Sequence, residues 1–138
     1  AYWGGVCIAT SSTTAVHALA YPLGGKYRMA HGLSNAILLP SVMAFNQVGC
    51  EARFAAMARA MDLPVTGLSD HDAAAAFVQA LHQLNTDLNI PNNLKSLGIQ
   101  TQDLDGLVEG ASKVTRLLDN NPRTMTRDDM RTIYAALI

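Results

Sequence analysis

The sequence predicts an all-α domain. Apolar side chains recur at helical spacing, above all Ala74, Phe77, Val78, Leu81, Leu84 and Leu88, which together face one side of a helix. Serine or threonine stands before acidic residues at several places where a helix would open, the arrangement that satisfies free N–H groups at a helix start. No stretch alternates apolar and polar residues as a half-buried strand does, and no internal repeat or low-complexity tract is present.

Taken in order, the N-terminal Tyr2 and Trp3 lie on a first helix, as core residues or as an exposed interface. Ser11, Ser12, Thr13 and Thr14 are expected to line a helix face. The next helix is expected to end near Ala20, because Pro22 removes a backbone donor and Gly24 and Gly25 tolerate the angles of a reversal. A further helix then starts near His31, and a short one spans 51–61. Ser69 caps a helix over 70–88, with Asp70 and Asp72 placing negative charge where the helix dipole favours it. Thr101 is expected to cap a helix over 102–118, stopped by Asn120, Asn121 and Pro122. Thr126-Arg127-Asp128-Asp129 reads as a capping box that opens a last helix carrying Met130, Ile133, Tyr134 and Leu137.

Composition bounds the partners. The chain has 138 residues and is 49% hydrophobic, enough to bury one core. Ten basic residues against eleven acidic ones leave no basic surface for nucleic acid or anionic membrane. The longest apolar run, 36–45, is broken by Pro40 and Ser41 and is too short to span a bilayer. Cys7 and Cys50 lack metal-type spacing and are expected to be buried free thiols in a reducing cytoplasm.

The histidines carry the chemistry. On one continuous helix His17 and His31, fourteen residues apart, would lie about 20 Å from each other. A reversal between them lets both imidazoles meet at one mouth, where a metal ion accepts such donors. No convincing third ligand lies nearby in sequence, so a purely structural role for the pair stays open. Asp70-His71-Asp72 is explained by helix capping, since consecutive helical side chains diverge. His82 flanks the apolar stripe of its helix, and Met29, Met43 and Met57 read as packing residues.

The stretch from His17 to Pro40 resembles the iron-containing (group III) alcohol dehydrogenases. That family's signature runs His, three residues, His-Pro-Leu-Gly, a short loop, His-Gly, and a small-residue and Leu-Leu-Pro run. His17 and His31 match its two metal-ligand positions, and Gly24, Gly32, Asn35, Ala36, Leu38, Leu39 and Pro40 match as they stand. Tyr21 departs from it, standing where many members place a histidine near the substrate. A phenol can still relay a proton, which makes Tyr21 the candidate catalytic residue. Phe45-Asn46, Leu88-Asn89-Ile90-Pro91-Asn92-Asn93-Leu94, Gly98-Ile99, Asn121-Pro122-Arg123 and the closing 128–137 helix follow the family's order. His31-Gly32-Leu33 favours its metal-dependent branch.

The resemblance implies a multi-helix C-terminal domain of the dehydroquinate synthase-like fold, with 1–138 as a single helical metal-binding domain. It also implies a divalent metal, Fe2+ as first choice and Zn2+ as alternative, completed by an Asp and a His from an upstream helix. An NAD or NADP cofactor would be bound mainly by an N-terminal dinucleotide-binding domain, whose glycine-rich strand-turn-helix motif does not occur in this chain. The expected activity is cytoplasmic alcohol–aldehyde or ketone interconversion, with the chain inactive as a fragment and prone to self-association or homo-oligomer formation through an apolar face. Two other readings stand beside it: a metal-independent reductase resembling maleylacetate reductase, and a non-enzymatic helical interaction module.

Overall fold

Two separate apolar cores organise the chain. The computed structural model describes residues 2–138, and among these it is all-helical. Its α-helices are α1 (Tyr2–Ser11), α2 (Ala15–Tyr27), α3 (His31–Gln47), α4 (Glu51–Ala60), α5 (Asp70–Asp87), α6 (Leu104–Ser112), α7 (Thr115–Asp119) and α8 (Arg127–Ala135). Short 3-10 turns at Lys95–Leu97 and Thr101–Asp103 connect α5 to α6. The larger core gathers Leu19 and Leu23 of α2, Leu38 and Val42 of α3, Leu107 of α6 and Tyr134 of α8. The smaller joins α4 to α5 through Phe54 and Phe77, packed edge to face with centroids 5.4 Å apart. Leu39 and Met43 of α3 pack against both.

Helix α2 runs past the expected break. Pro22 lies inside it and the helix continues through Gly24 and Gly25 to Tyr27, although an interior proline costs about 3 kcal/mol. Packing overrides that cost. Leu19, Ala20 and Leu23 are buried, each leucine worth about 1.5–3 kcal/mol. The Pro22 ring fits against α6 where Gly110 leaves room, since a Cβ on Gly110 would lie 3.0 Å from Pro22 Cγ. The reversal falls instead at Arg28, whose left-handed backbone (φ 54°) ends the helix as its N–H donates to the Leu23 carbonyl. Pro40 is likewise carried inside α3.

The expected 102–118 helix is divided. A 3-10 turn opens it, α6 ends at Ser112, and Val114 departs from helical angles before α7. Its start is also one residue earlier than Thr101: the Gln100 N–H donates to Asp103 Oδ2 at 3.0 Å. Elsewhere the capping signals hold. Ser69 Oγ accepts the Asp72 N–H at 3.1 Å, and in the Thr126 box the Asp129 N–H donates to Thr126 Oγ1 while Asp129 Oδ2 accepts the Thr126 N–H at 2.8 Å. The Thr126 hydroxyl, which donates to Asp129 Oδ2 at 2.6 Å, and after it the Thr126 N–H hold the Asp129 carboxyl below the usual aspartate range. Met130, Ile133, Tyr134 and Leu137 are buried as expected, and the Tyr134 hydroxyl donates to the Leu19 carbonyl at 2.6 Å.

The α5 stripe is only partly covered. Ala74, Phe77, Val78 and Leu81 are buried, whereas Leu84 and Leu88 are exposed, because α4 has ten residues against eighteen in α5 and stops short of its last turns. Helix α1 differs from all the others. It is apolar in sequence yet buries none of its side chains, and Tyr2 and Trp3 are exposed. Cys7 on this helix is exposed and Cys50 half-buried, both free, which corrects the expectation of two buried thiols. Only the C-terminal end of α1 is gripped: Asn120 donates to the Ser11 and Thr13 carbonyls at 2.7 and 3.2 Å. Arg116 meets Ser12 Oγ at 3.1 Å. No described helix is long and apolar enough to cross a membrane.

Candidate metal centre

Helices α2 and α3 form an antiparallel hairpin that brings the two sequence-distant histidines together. His17 lies in the first turn of α2, and His31 is the first residue of α3. Their ring centroids are 5.2 Å apart with planes tilted by 54°. Tyr21 stands one turn beyond His17 on the same face of α2, its ring centroid 6.4 Å from that of His31 and 45% of its surface exposed. These three candidates share one mouth although the reversal falls after Tyr27 and not near Ala20.

Local electrostatics favour the form of histidine that donates to a metal. Burial, and after it the charge of His31, lowers the His17 pKa below its ordinary value. His17 is therefore neutral at pH 7, with a ring lone pair free for ligation. Asn35, one helical turn after His31, donates to the His31 carbonyl at 2.8 Å, and its amide nitrogen stands 3.2 Å from His31 Nε2. Asn35 Oδ1 is buried without a partner, an unsatisfied acceptor beside the histidine pair. The role of Asn35 was not apparent from sequence, although its four-residue offset from His31 is the spacing at which helical side chains meet.

Two imidazoles at this separation fit a divalent ion as part of a donor set. Among the described residues no group of three His, Cys, Asp or Glu side chains converges, so no third ligand of these types joins the pair there. Asp70-His71-Asp72 is accounted for by local contacts, Asp70 pairing with Arg59 at 2.9 Å and Asp72 with Ser69. His82 is exposed on α5.

A largely apolar groove of about 380 Å³ leads away from His17 between α1 and the hairpin, with Ile8, Val16, Leu39 and Met43 on its walls and Asn35 at its edge. Ser12, Thr13 and Thr14 also line it, from the linker between α1 and α2 and not from a helix face. Larger concavities lie at the 59–68 loop and around Cys50 and Pro122, and neither is lined by a histidine.

An all-α domain presenting a histidine pair on a helical hairpin is the setting in which relatives were found. The family model described as "Fe-containing alcohol dehydrogenase family, C-terminal" matches residues 1–138, and the chain belongs to that family. It is 37% identical over 135 residues to long-chain-alcohol dehydrogenase 1 of Geobacillus thermodenitrificans, covering 98% of this chain and 34% of that protein. It is 38% identical over 119 residues to 1,3-propanediol dehydrogenase of Klebsiella pneumoniae, covering 86% of this chain and 30% of that protein. Among solved structures, a 1,3-propanediol oxidoreductase superposes with a TM-score of 0.88 at 35% identity, covering 92% of this chain and 33% of that one. The alcohol dehydrogenase of Oenococcus oeni gives 0.84 at 37% identity, over 91% of this chain and 32% of its own. The chain thus spans about a third of the length of the curated relatives it matches.

Proposed function

We propose that this chain is the helical metal-binding domain of an NAD(P)-dependent alcohol dehydrogenase that interconverts alcohols with aldehydes or ketones by hydride transfer. The 5.2 Å approach of His17 and His31, in a chain of the iron-containing family, is the observation that supports it. His17 and His31 supply two ring-nitrogen donors to a divalent ion, Fe2+ or Zn2+. The remaining Asp and His donors, and most of the NAD or NADP site, come from another part of the protein. When bound, the ion supplies Lewis acidity toward the substrate oxygen.

This chain's own residues do the rest on its side of the cleft. Asn35 holds the His31 end of the site through the backbone carbonyl. The apolar groove wall beside His17 excludes water from that flank. Tyr21, exposed at the mouth, relays the proton: its Oη accepts the one released from the alcohol hydroxyl on oxidation as its own O–H proton passes to water, and the path reverses on reduction. A bound nicotinamide would supply the hydride acceptor or donor. We place the complete enzyme in the cytoplasm, acting on a small alcohol or aldehyde.

Replacing His17 or His31 by alanine in the full-length protein tests this reading. Metal content and NAD(P)-dependent alcohol oxidation should both be lost while helical circular dichroism persists. Unchanged metal content and activity in either variant would overturn it.

A further inference from the structure

Two short sequence matches that the site leaves unused, Phe45-Asn46 and Asn121-Pro122-Arg123, meet in space. Asn46 Nδ2 donates to Asn121 Oδ1 at 3.0 Å, and Asn121 Nδ2 donates back to Asn46 Oδ1 at 2.7 Å. Asn121 Nδ2 also donates to the Arg123 carbonyl at 2.6 Å, and its Oδ1 accepts the Ala15 N–H at 3.4 Å. Arg123 completes the knot, donating to the Phe45 carbonyl at 2.7 Å with its guanidinium 3.9 Å from the Phe45 ring centroid. Asn46 and Asn121 are 1% and 8% exposed.

The location is specific. Ala15 is the first residue of α2, whose own N-cap residue, Thr14, makes no side-chain cap. Asn46 lies at the far end of α3. Asn121 therefore closes the open end of the α2–α3 hairpin, opposite the Arg28 reversal, and His17 sits two residues inside that closure. An apolar filling would have sufficed for cohesion, as the α4–α5 hairpin shows: no polar side chain is buried on α4 or α5. Reciprocal amide hydrogen bonds add direction, because a slip of either helix leaves buried donors and acceptors unpaired.

We infer that Asn121 is a positioning residue for the His17–His31 pair, holding α2 along α3 through Asn46 and the Ala15 N–H so that the two imidazoles stay convergent. This rests on the proposed metal-binding role of the pair, and the experiment separates the two.

Metal-free full-length protein is titrated with Co2+ and followed by visible absorption, at a temperature where circular dichroism shows every variant folded. The metal reading by itself requires that wild type bind and that His17→Ala not bind; failure here removes that reading and the inference together. With that satisfied, Asn121→Ala should weaken Co2+ binding about 10-fold or more, as loss of an outer supporting contact does, and alter the absorption bands. Asn46→Ala should act in the same direction but less, since Asn121 keeps its Ala15 and Arg123 contacts. Phe77→Leu, in the other core, should lower the melting temperature and leave Co2+ affinity unchanged. Wild-type affinity and bands in Asn121→Ala, or an equal loss in Phe77→Leu, would overturn the inference. Should Asn121→Ala not fold, Asn46→Ala decides by the same two outcomes: weakened binding supports positioning, and wild-type binding refutes it.

Discussion

The α2–α3 and α4–α5 hairpins are built from the same elements yet are held together differently. In α4–α5 the buried contact is apolar, with the Arg59–Asp70 ion pair left at the exposed rim: Phe54 meets Phe77 edge to face, and Ala55, Ala58, Ala73 and Ala74 are fully buried beside them. In α2–α3 the apolar core is interrupted by polar devices. Ser34 and Asn46 are buried on α3, Asn121 reaches in from the loop after α7, and the Tyr134 hydroxyl bonds the Leu19 carbonyl. Apolar packing tolerates small shifts, whereas buried hydrogen bonds penalise them, so the hairpin that carries the histidine pair is the one whose relative helix placement is specified most tightly.

The largest effect that can break this contrast comes from the apolar side. Phe77→Ala should cost about 3–5 kcal/mol by cavity formation, read as a lowered urea midpoint with the helical signal of the folded protein intact. A loss well under 1 kcal/mol would mean that the aromatic pair is not what joins α4 to α5.

A smaller effect tests the polar hairpin's seat on α6. Gly110→Ala gains up to about 1 kcal/mol of helix propensity, but the new methyl meets the stiff Pro22 ring at 3.0 Å, and such overpacking costs about 1–3 kcal/mol. Net destabilisation of about 1 kcal/mol in chemical denaturation is expected. A stabilised variant would show that α2 and α6 can move apart freely.

An effect of similar size lies outside both hairpins. Thr126→Ala should cost about 1 kcal/mol by loss of the α8 cap and should also change the pH profile. The Asp129 pKa is lowered in the folded protein, so its contribution is fully present above the unfolded aspartate value. That contribution is lost as pH falls through the lowered folded value. Denaturation at a series of pH values from 6 to about 3 should therefore show a shallower acid loss in Thr126→Ala than in wild type. Parallel curves would indicate that Thr126 does not hold the carboxylate.

What could be read from residues one at a time was the local chemistry. Ser69 and Thr126 mark helix starts because a hydroxyl reaches an N–H within three residues, and no distant group is needed. The α5 stripe and the last helix follow from 3.6-residue periodicity, and the His17 and His31 matches from the resemblance of the stretch around Gly24 and Gly32 to the family signature. Where distant residues intervene, local reading stops. Pro22 does not break α2 because Gly110, far along the chain, leaves a socket for its ring. Leu84 and Leu88 stay exposed because α4 is short. Cys7 and Trp3 have apolar neighbours in sequence yet stay exposed on a helix that buries no side chain. The start of α2 is capped by Asn121, a residue 106 positions away. Capping and periodicity are short-range and legible in order along the chain, whereas the side-chain amides and close-packed surfaces that set the histidines' approach acquire their meaning only once remote helices are in contact.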